Sequence, residues 1–339
     1  MKKISSIICL IFSFSSFSQD IHFSQIQQTP QLISPALVGL DQSFQGIMNY
    51  RTQWNSIGDP FKTIASSVEC RINEENRNTN GLFGIGLQFF NDKSGSTAIN
   101  TTNFNASIAY HLLLNSTSSL SFGINSGFSQ RVIGNRDGRW SSQFDGQTYN
   151  SSLSNGETSI TQQFTYVDLG TGLIYAFRQN RKGSNRKSNE FTIGLSAFHV
   201  NKPSFSFTSL EDQLGIRWSG FINGKIETSS NKITIQPALY YQQQEKYRQI
   251  LFGANFYYLL SQNSQITGYK KGSSLTFGLF HRFKDAMILS TGLEIGNISG
   301  GVSYDFTVSN LSRINGLQGG FELFLKYKLN DKSLWKNRI

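Results

Sequence analysis

The sequence predicts an all-β fold: a transmembrane outer-membrane β-barrel of about fourteen antiparallel strands, preceded by a short N-terminal segment outside the barrel wall. Three observations carry that prediction. Apolar and polar residues alternate with a period of two through most of the chain, which sends successive side chains to opposite faces of a sheet. Aromatic residues reach 13%, with 28 Phe and 13 Tyr, Gly is plentiful at 31, and charged residues make up only 15%. A lipid-facing sheet with aromatic girdles has that composition, and an ordinary α/β enzyme does not. After the N-terminus no uninterrupted apolar run reaches the roughly 18 residues of a spanning helix.

Residues 1–18 read as a secretory signal. Lys2 and Lys3 form the basic part, Ile7 to Phe14 the apolar part broken only by Cys9 and Ser13, and Ser16-Phe17-Ser18 a small-x-small site that puts cleavage before Gln19. Cys9 lies inside the apolar run, too early for lipid attachment. Export leaves Cys70 as the one cysteine of the mature chain, so no intramolecular disulfide holds the fold. The net charge is +10, two lower once Lys2 and Lys3 leave with the signal. For an exported protein this suits an anionic membrane surface or lipopolysaccharide rather than nucleic acid. The main basic cluster, Arg178 to Lys187, reads as a solvated turn.

Taken in order, the alternation predicts strands over Phe44–Trp54, Phe61–Asn73, Gly81–Asn91, Asn100–Leu113, Leu120–Ile133, Phe164–Arg178 and Glu190–Val200. It continues with Leu214–Ile226, Lys232–Gln242, Tyr247–Leu260, Ser274–Phe283, Ala286–Ile295, Gly301–Val308 and Gly320–Leu329. In the first, Phe44, Gly46, Met48, Tyr50, Thr52 and Trp54 oppose Gln45, Ile47, Asn49, Arg51 and Gln53. In the fourth, Phe104, Ala106, Ile108, Tyr110 and Leu112 oppose Asn103, Asn105, Ser107, Ala109 and His111. The last sets Phe321, Leu323, Leu325, Tyr327 and Leu329 against Glu322, Phe324, Lys326 and Lys328. The barrel thus spans 44–329, between a segment at 19–43 and a tail at 330–339.

If the first strand starts in the periplasm, the longest connection, Asn135–Gln163, faces outward. The shorter Glu74–Asn80, Leu114–Ser119 and Glu227–Asn231 are then periplasmic, with Gln179–Asn189 and Ser261–Ser273 longer than such turns usually are. A large soluble sandwich would also alternate, but its outer face would need far more Lys and Glu than this chain carries. Closure further removes the strand edges that hydrocarbon cannot hydrate.

The inward positions include Arg51, Arg71, Arg131, Asp168, Arg217, Lys225, Glu294, Asp305 and Glu322, a mixed-sign set suited to ion pairs that close a lumen. Gly170, Gly172, Gly292 and Gly296 on the same faces leave room for a plug or a substrate. Catalytic chemistry has little to work with. The four histidines, His22, His111, His199 and His281, form no zinc-binding pair, and there is no phosphate-cradling loop or dinucleotide fingerprint. His199 has Ser196 nearby, but three residues apart on a strand they should point to opposite faces and not meet. The expectation is no catalytic residue, no metal and no cofactor.

QDIHFSQIQQTPQLISPALVGL at Gln19–Leu40, with its Ser34, Pro35, Ala36 and Gly39, resembles the entry segment of the PorP/SprF family of Bacteroidetes outer-membrane proteins. NYRTQW (Asn49–Trp54), NDKSGS (Asn91–Ser96) with NTT (Asn100–Thr102), AYHL (Ala109–Leu112), YVDLGTGLIY (Tyr166–Tyr175), HVNKP (His199–Pro203) and SYDFTVSNL (Ser303–Leu311) follow in the family's order. The resemblance implies a barrel working with the type IX secretion system, associated with export and surface attachment of particular large adhesins. It implies as partners the C-terminal region of such a cargo and other secretion components. The chain departs from many barrels in continuing past its last strand with NDKSLWKNRI.

The segment 19–40 carries Pro30, Pro35 and Gly39, which argue against a regular strand, yet it has Phe23, Ile26, Leu32, Ile33 and Leu37 to bury. It is expected to pack at the periplasmic mouth or inside the lumen, with a mobile periplasmic tether as the alternative. Phe23, Ser24, Gln25, Ser34, Pro35, Ala36 and Gly39 are its candidate contact residues, and Arg51, Arg131, Asp168, Arg217, Glu294 and Asp305 the candidate lumen residues. The competing functions are a passive outer-membrane channel or hydrophobic-solute transporter and, behind it, an outer-membrane lipid hydrolase.

Overall fold

The computed structural model describes residues 20–56, 58–72, 81–94, 99–133, 141–153, 163–180, 188–207, 212–228, 232–262, 272–310 and 312–329. The expected signal, the C-terminal tail and most of the basic cluster lie outside them. Fourteen strands form one closed antiparallel barrel in which each pairs with its sequence neighbours and the last closes on the first. They are β1 Phe44–Gln53, β2 Phe61–Ile72, β3 Gly81–Ser94, β4 Ile99–Leu113, β5 Ser118–Ile133, β6 Gln163–Asn180 and β7 Ser188–Phe198. The second half is β8 Arg217–Glu227, β9 Ile233–Gln244, β10 Tyr247–Ser261, β11 Ser273–Arg282, β12 Ala286–Ile295, β13 Ile298–Thr307 and β14 Gln318–Leu329. At the seam Phe44 faces Leu329 and Gln53 faces Gly320, an unbroken ladder that leaves no edge exposed.

The period-two pattern reads out as burial. Along β4, Phe104, Ile108 and Tyr110 are exposed while Asn103, Asn105, Ser107 and His111 are buried. The outward face mixes aliphatic side chains such as Val68, Leu87, Ile124, Leu173 and Leu195 with aromatic ones such as Phe104, Phe256 and Phe277. Aromatic pairs mark the rims: Phe44 meets Tyr327 and Phe83 meets Tyr110 at the rim where β1 begins, and Trp54 meets Phe61 at the other. The near rim, where β1 starts and β14 ends, has short connections at 114–117 and 296–297, whereas the far rim holds 134–162 and 199–216. Outer-membrane barrels carry long loops outside and short turns in the periplasm, so these connections match a periplasmic near rim, although 262–272 on that side is longer. The rule is not strict, because the far rim also has tight turns at 245–246 and 283–285.

Departures from the expected boundaries have local causes. β1 stops before Trp54 and β7 before His199, both of which adopt left-handed backbone (φ 60° and 57°) that a strand cannot contain. β8 begins at Arg217 rather than Leu214, which is buried in the preceding connection. β13 starts earlier than expected, at Ile298, because pairing with β12 and β14 on both sides holds Ser299, Gly300 and Gly301 in the sheet despite their weak β preference. Gly296, expected on the lumen face, sits instead in the β12–β13 turn with φ 60°. The β8–β9 ladder passes from Asn223↔Ala238 to Ile226↔Ile235 without a change of register, skipping Gly224 and Lys225 opposite Gln236 and Pro237. Proline has no N–H to donate there.

Ile124 lies mid-strand on the membrane face and is 50% exposed. Ile124→Arg should cost about 2–4 kcal/mol at the bilayer midplane. The expected outcome is a marked fall in the folded fraction in lipid vesicles, read by heat-modifiable gel mobility.

Candidate functional site in the barrel lumen

The residues before β1 run inside the barrel. From Ser43 at the near rim the chain climbs through the 3-10 turn Pro35–Leu37, the short helix α1 (Pro30–Ile33) and a second turn, Ile26–Gln28. It ends at Asp20 beside His199, Arg217 and Gln244, which cluster at the far rim. Neither the periplasmic mouth alone nor a tether outside the barrel describes this path. The segment is a plug.

An irregular backbone away from bulk water needs partners for its polar groups. The barrel supplies them from lumen side chains. Asn49 Nδ2 donates to the Gln28 carbonyl (3.1 Å), Arg217 to Leu32 (3.3 Å) and Ser196 Oγ to Ile33 (2.5 Å). His111 Nε2 meets the Val38 carbonyl at 2.8 Å while its Nδ1 meets Ser121. Arg71 donates to the carbonyls of Gly39 (2.7 Å) and Leu40 (3.1 Å). Arg51 donates to the His22 carbonyl.

The lower half of the plug is fitted by shape. Ile33, Ala36 and Leu40 join one apolar cluster with Leu82, Leu113, Ile174 and Phe221 of the wall. Ser34 and Ala36 are fully buried. The wall facing them is glycine. A Cβ on Gly84 would lie 2.1 Å from the Val38 carbonyl oxygen, one on Gly123 2.4 Å from the Ala36 nitrogen, and one on Gly172 2.2 Å from Ser34 Oγ. Gly39 itself turns with φ 73° to bring the chain toward β1.

The upper half is held chiefly by charge. Glu322 accepts from two consecutive backbone amides, Ser24 N (2.5 Å) and Gln25 N (2.9 Å), and pairs with Arg51 at 3.1 Å. Ser24 Oγ donates to Asp305 (2.6 Å), which pairs with Arg282 at 2.8 Å and with Arg51 at 3.6 Å. Phe23, 2% exposed, packs with Leu32 and Ala65 beneath this network. At the rim itself, His199 lies between Asp20 (2.6 Å) and Asp168 (2.8 Å), and Asp20 also meets Arg217 at 3.2 Å. Burial alone would lower the His199 pKa, but the two carboxylates override it and push it up to about 9. Burial likewise opposes the Asp20 anion, yet His199 and Arg217 hold its carboxyl well below the usual range.

Of the anticipated lumen residues, Asp305 thus meets Ser24 and Arg51, Arg51 also holds the His22 carbonyl, Arg217 pairs with Asp20, and Asp168 holds the His199 that pairs with Asp20. Arg131 stands apart with its guanidinium 4.6 Å above the Phe205 ring, and Glu294 pairs with Lys328 (2.8 Å) at the near rim. Ser196 and His199 both turn inward, contrary to the opposite-face expectation, because the strand ends at Phe198. They are nonetheless spoken for separately, by the Ile33 carbonyl and by the two aspartates. Arg282, fully buried and central to the network, is absent from the anticipated lumen set, although Gly278, Phe280 and Arg282 share one parity on β11. Among the described residues no group of His, Cys, Asp or Glu could hold a metal ion.

Between the plug and the wall, chiefly β7–β14 with Gln45 and Glu69 of β1 and β2, lies a cavity of about 370 Å³. Its roof is Ser24–Gln28, its wall includes Gln236, Asn255, Thr276 and Ser290, and Lys225, Lys326, Glu190 and Glu294 surround its near-rim end.

Gly84→Val and Gly123→Val place side-chain atoms where plug backbone stands, so each should expel the lower plug from a barrel that still closes. Hydrogen exchange across residues 31–40 should rise at least about tenfold, with unchanged heat-modifiable mobility. The His199 contribution is present below pH 6.5 and is lost as pH rises through about 9, its raised value in the docked state. Exchange in residues 20–25, corrected for the intrinsic rate, should therefore rise across that window, and His199→Gln should remove the step.

No curated protein matches the chain at a significant level. Solved structures similar to it include the CymD monoaromatic hydrocarbon channel, at TM-score 0.49 and 8% identity over 89% of this chain and 93% of that one. A TodX monoaromatic hydrocarbon channel mutant gives 0.48 and 9% over 88% and 93%, and BamA from Haemophilus ducreyi 0.42 and 8% over 85% and 70%. The profile of a family described as type IX secretion system membrane protein PorP/SprF matches residues 15–327, which takes in the plug and all but the last two residues of β14. With that match across nearly its whole length, this outer-membrane barrel belongs to the PorP/SprF family.

Proposed function

We propose that the barrel supports type IX export, surface anchoring, or both, of specific secreted adhesins of the gliding or attachment kind, as a binding and tethering module and not as an enzyme. Family membership over residues 15–327 carries this reading. The lumen agrees with it: a chain-filled barrel suits a holder better than an open pore. Recognition then falls to the rims, where the far side offers the connections 134–162 and 199–216 to a surface-exposed cargo. The near rim, ringed by Arg178, Lys225, Lys326 and Lys328 against Glu69, Glu190 and Glu294, offers a mixed-charge face to periplasmic secretion components. The C-terminal region of the cargo is the partner we assign to the barrel, with outer-membrane lipid and lipopolysaccharide as its surroundings. A hydrolase role is disfavoured by the separate engagement of Ser196 and His199.

Deletion of the gene, followed by mass spectrometry of surface and culture-fluid proteins, tests the proposal. Loss of one or a few large adhesins with other type IX cargo unchanged is the result expected of an export partner. Release of the same adhesins into the medium is the result expected of an anchor. An unchanged surface proteome would overturn both and bring forward a passive channel or hydrophobic-solute transporter.

A further inference from the structure

The two halves of the plug are attached by different physics. The lower half interlocks with the wall through backbone-to-glycine contacts at Gly84, Gly123 and Gly172, and such packing yields only if the wall moves. The upper half, Asp20–Gln28, depends on Glu322, Asp305, Arg282, Arg51, His199 and Arg217. Its apolar hold is confined to Phe23, with Ile21 and Leu32, against Ala65 and Phe90, and to Ile26, which joins the wall cluster containing Tyr240, Leu251, Phe280 and Ile288. Ionic and hydrogen-bonded contacts of that kind are buried and mutually dependent, so they let go together, and they do so without moving the wall.

The cavity beneath makes the difference consequential. It reaches from the near-rim charges up to Ser24, Gln25 and Gln28 and stops there. The space on the near-rim side of the latch is thus a polar-lined vestibule. The Gln25 Nε2 and Gln28 Oε1 atoms that close it are buried without a protein partner, as are Gln45 Oε1 and Glu69 Oε2 lower on its wall. Those atoms, with the amides of Gln236 and Asn255 and the hydroxyls of Thr276 and Ser290, make a lining for water and small hydrophilic solutes rather than for hydrocarbons.

We propose that this protein is a latched hydrophilic pore, in which release of Asp20–Gln28 from the Glu322–Asp305–Arg282 network joins the vestibule to the far rim and passes ions and small polar solutes. The lower plug stays seated as the latch swings. Opening requires no change in the strand ladder. The activity is independent of the secretion role and can be read on purified protein, where no cargo or secretion component is present.

The test is single-channel recording of the purified full chain in planar bilayers in KCl, with swelling of vesicles in L-arabinose as the solute readout. The full chain should be closed nearly all the time. Deletion of residues 20–28 and, separately, Glu322→Gln should each raise open probability about a hundredfold, the population shift for losing one partner of a buried charged network. Gel mobility confirms that each barrel is folded. In a Cys70→Ser background, Ser24→Cys with Asp305→Cys should be shut when oxidised and conducting when reduced, a comparison made on one folded sample. Equal conductance of the full chain and a folded 20–28 deletion would overturn the proposal, as would a pore indifferent to that disulfide.

Discussion

Everything inside this barrel follows from one constraint: an irregular chain away from bulk solvent must have its peptide groups met by something. A strand or helix would meet its own. The stretch before β1, interrupted by Pro30, Pro35 and Gly39, cannot, and so the wall does it instead. Asn49, Arg51, Arg71, His111, Ser196 and Arg217 each face inward from a different height or side, and each donates to a plug carbonyl. The plug's amides at Ser24 and Gln25 find their acceptor in Glu322. The lumen's polar residues are therefore a negative of one particular backbone path, and the glycines on β3, β5 and β6 mark where that path comes closest.

Much of this is legible in the sequence. Alternation settles which face of each strand meets lipid, because in a membrane wall the polar face has nowhere to go but inward. The strand count came through for the same reason. Boundaries were less legible where one residue's backbone overrides the pattern, as at Trp54 and His199, or where neighbouring strands recruit weak formers such as Ser299–Gly301. The site was readable as a set of inward charges but not as a set of partners. Asp20 meets His199 across 179 residues, and no local pattern links them. Arg282 could have been found by extending the β11 parity one step past Phe280, whereas the close approach of Gly123 to Ala36 needs the curvature of the closed barrel.

The charges also divide by function along the barrel axis. Toward the far rim they are buried and tied to the plug, where removal of one partner leaves another stranded. Toward the near rim, beside the buried Glu69 and Arg71, the pairs of Lys328 with Glu294 and of Lys225 and Arg178 with Glu190 are only half-buried. Partly exposed pairs of this sort add less stability and exchange partners more readily. The far end holds one occupant through a network that lets go as a unit, and the near end can meet changing ones.

The bond from Ser24 to Glu322 has a consequence for how the molecule comes to be. It joins residues 298 apart, so the start of the plug completes its contacts only after the last strand is in place. Such a contact is highly non-local, and its loop-closure cost falls due before any return. Arg51 on β1 and Glu322 on β14 pair directly across the seam, and the Ser24 amide donates to the same carboxylate. Seating of the N-terminal residues thus reports that the cylinder has closed in the correct register. An assembly that stalled or slipped at the seam would leave a loose leading end, a mark by which quality control could tell finished barrels from unfinished ones.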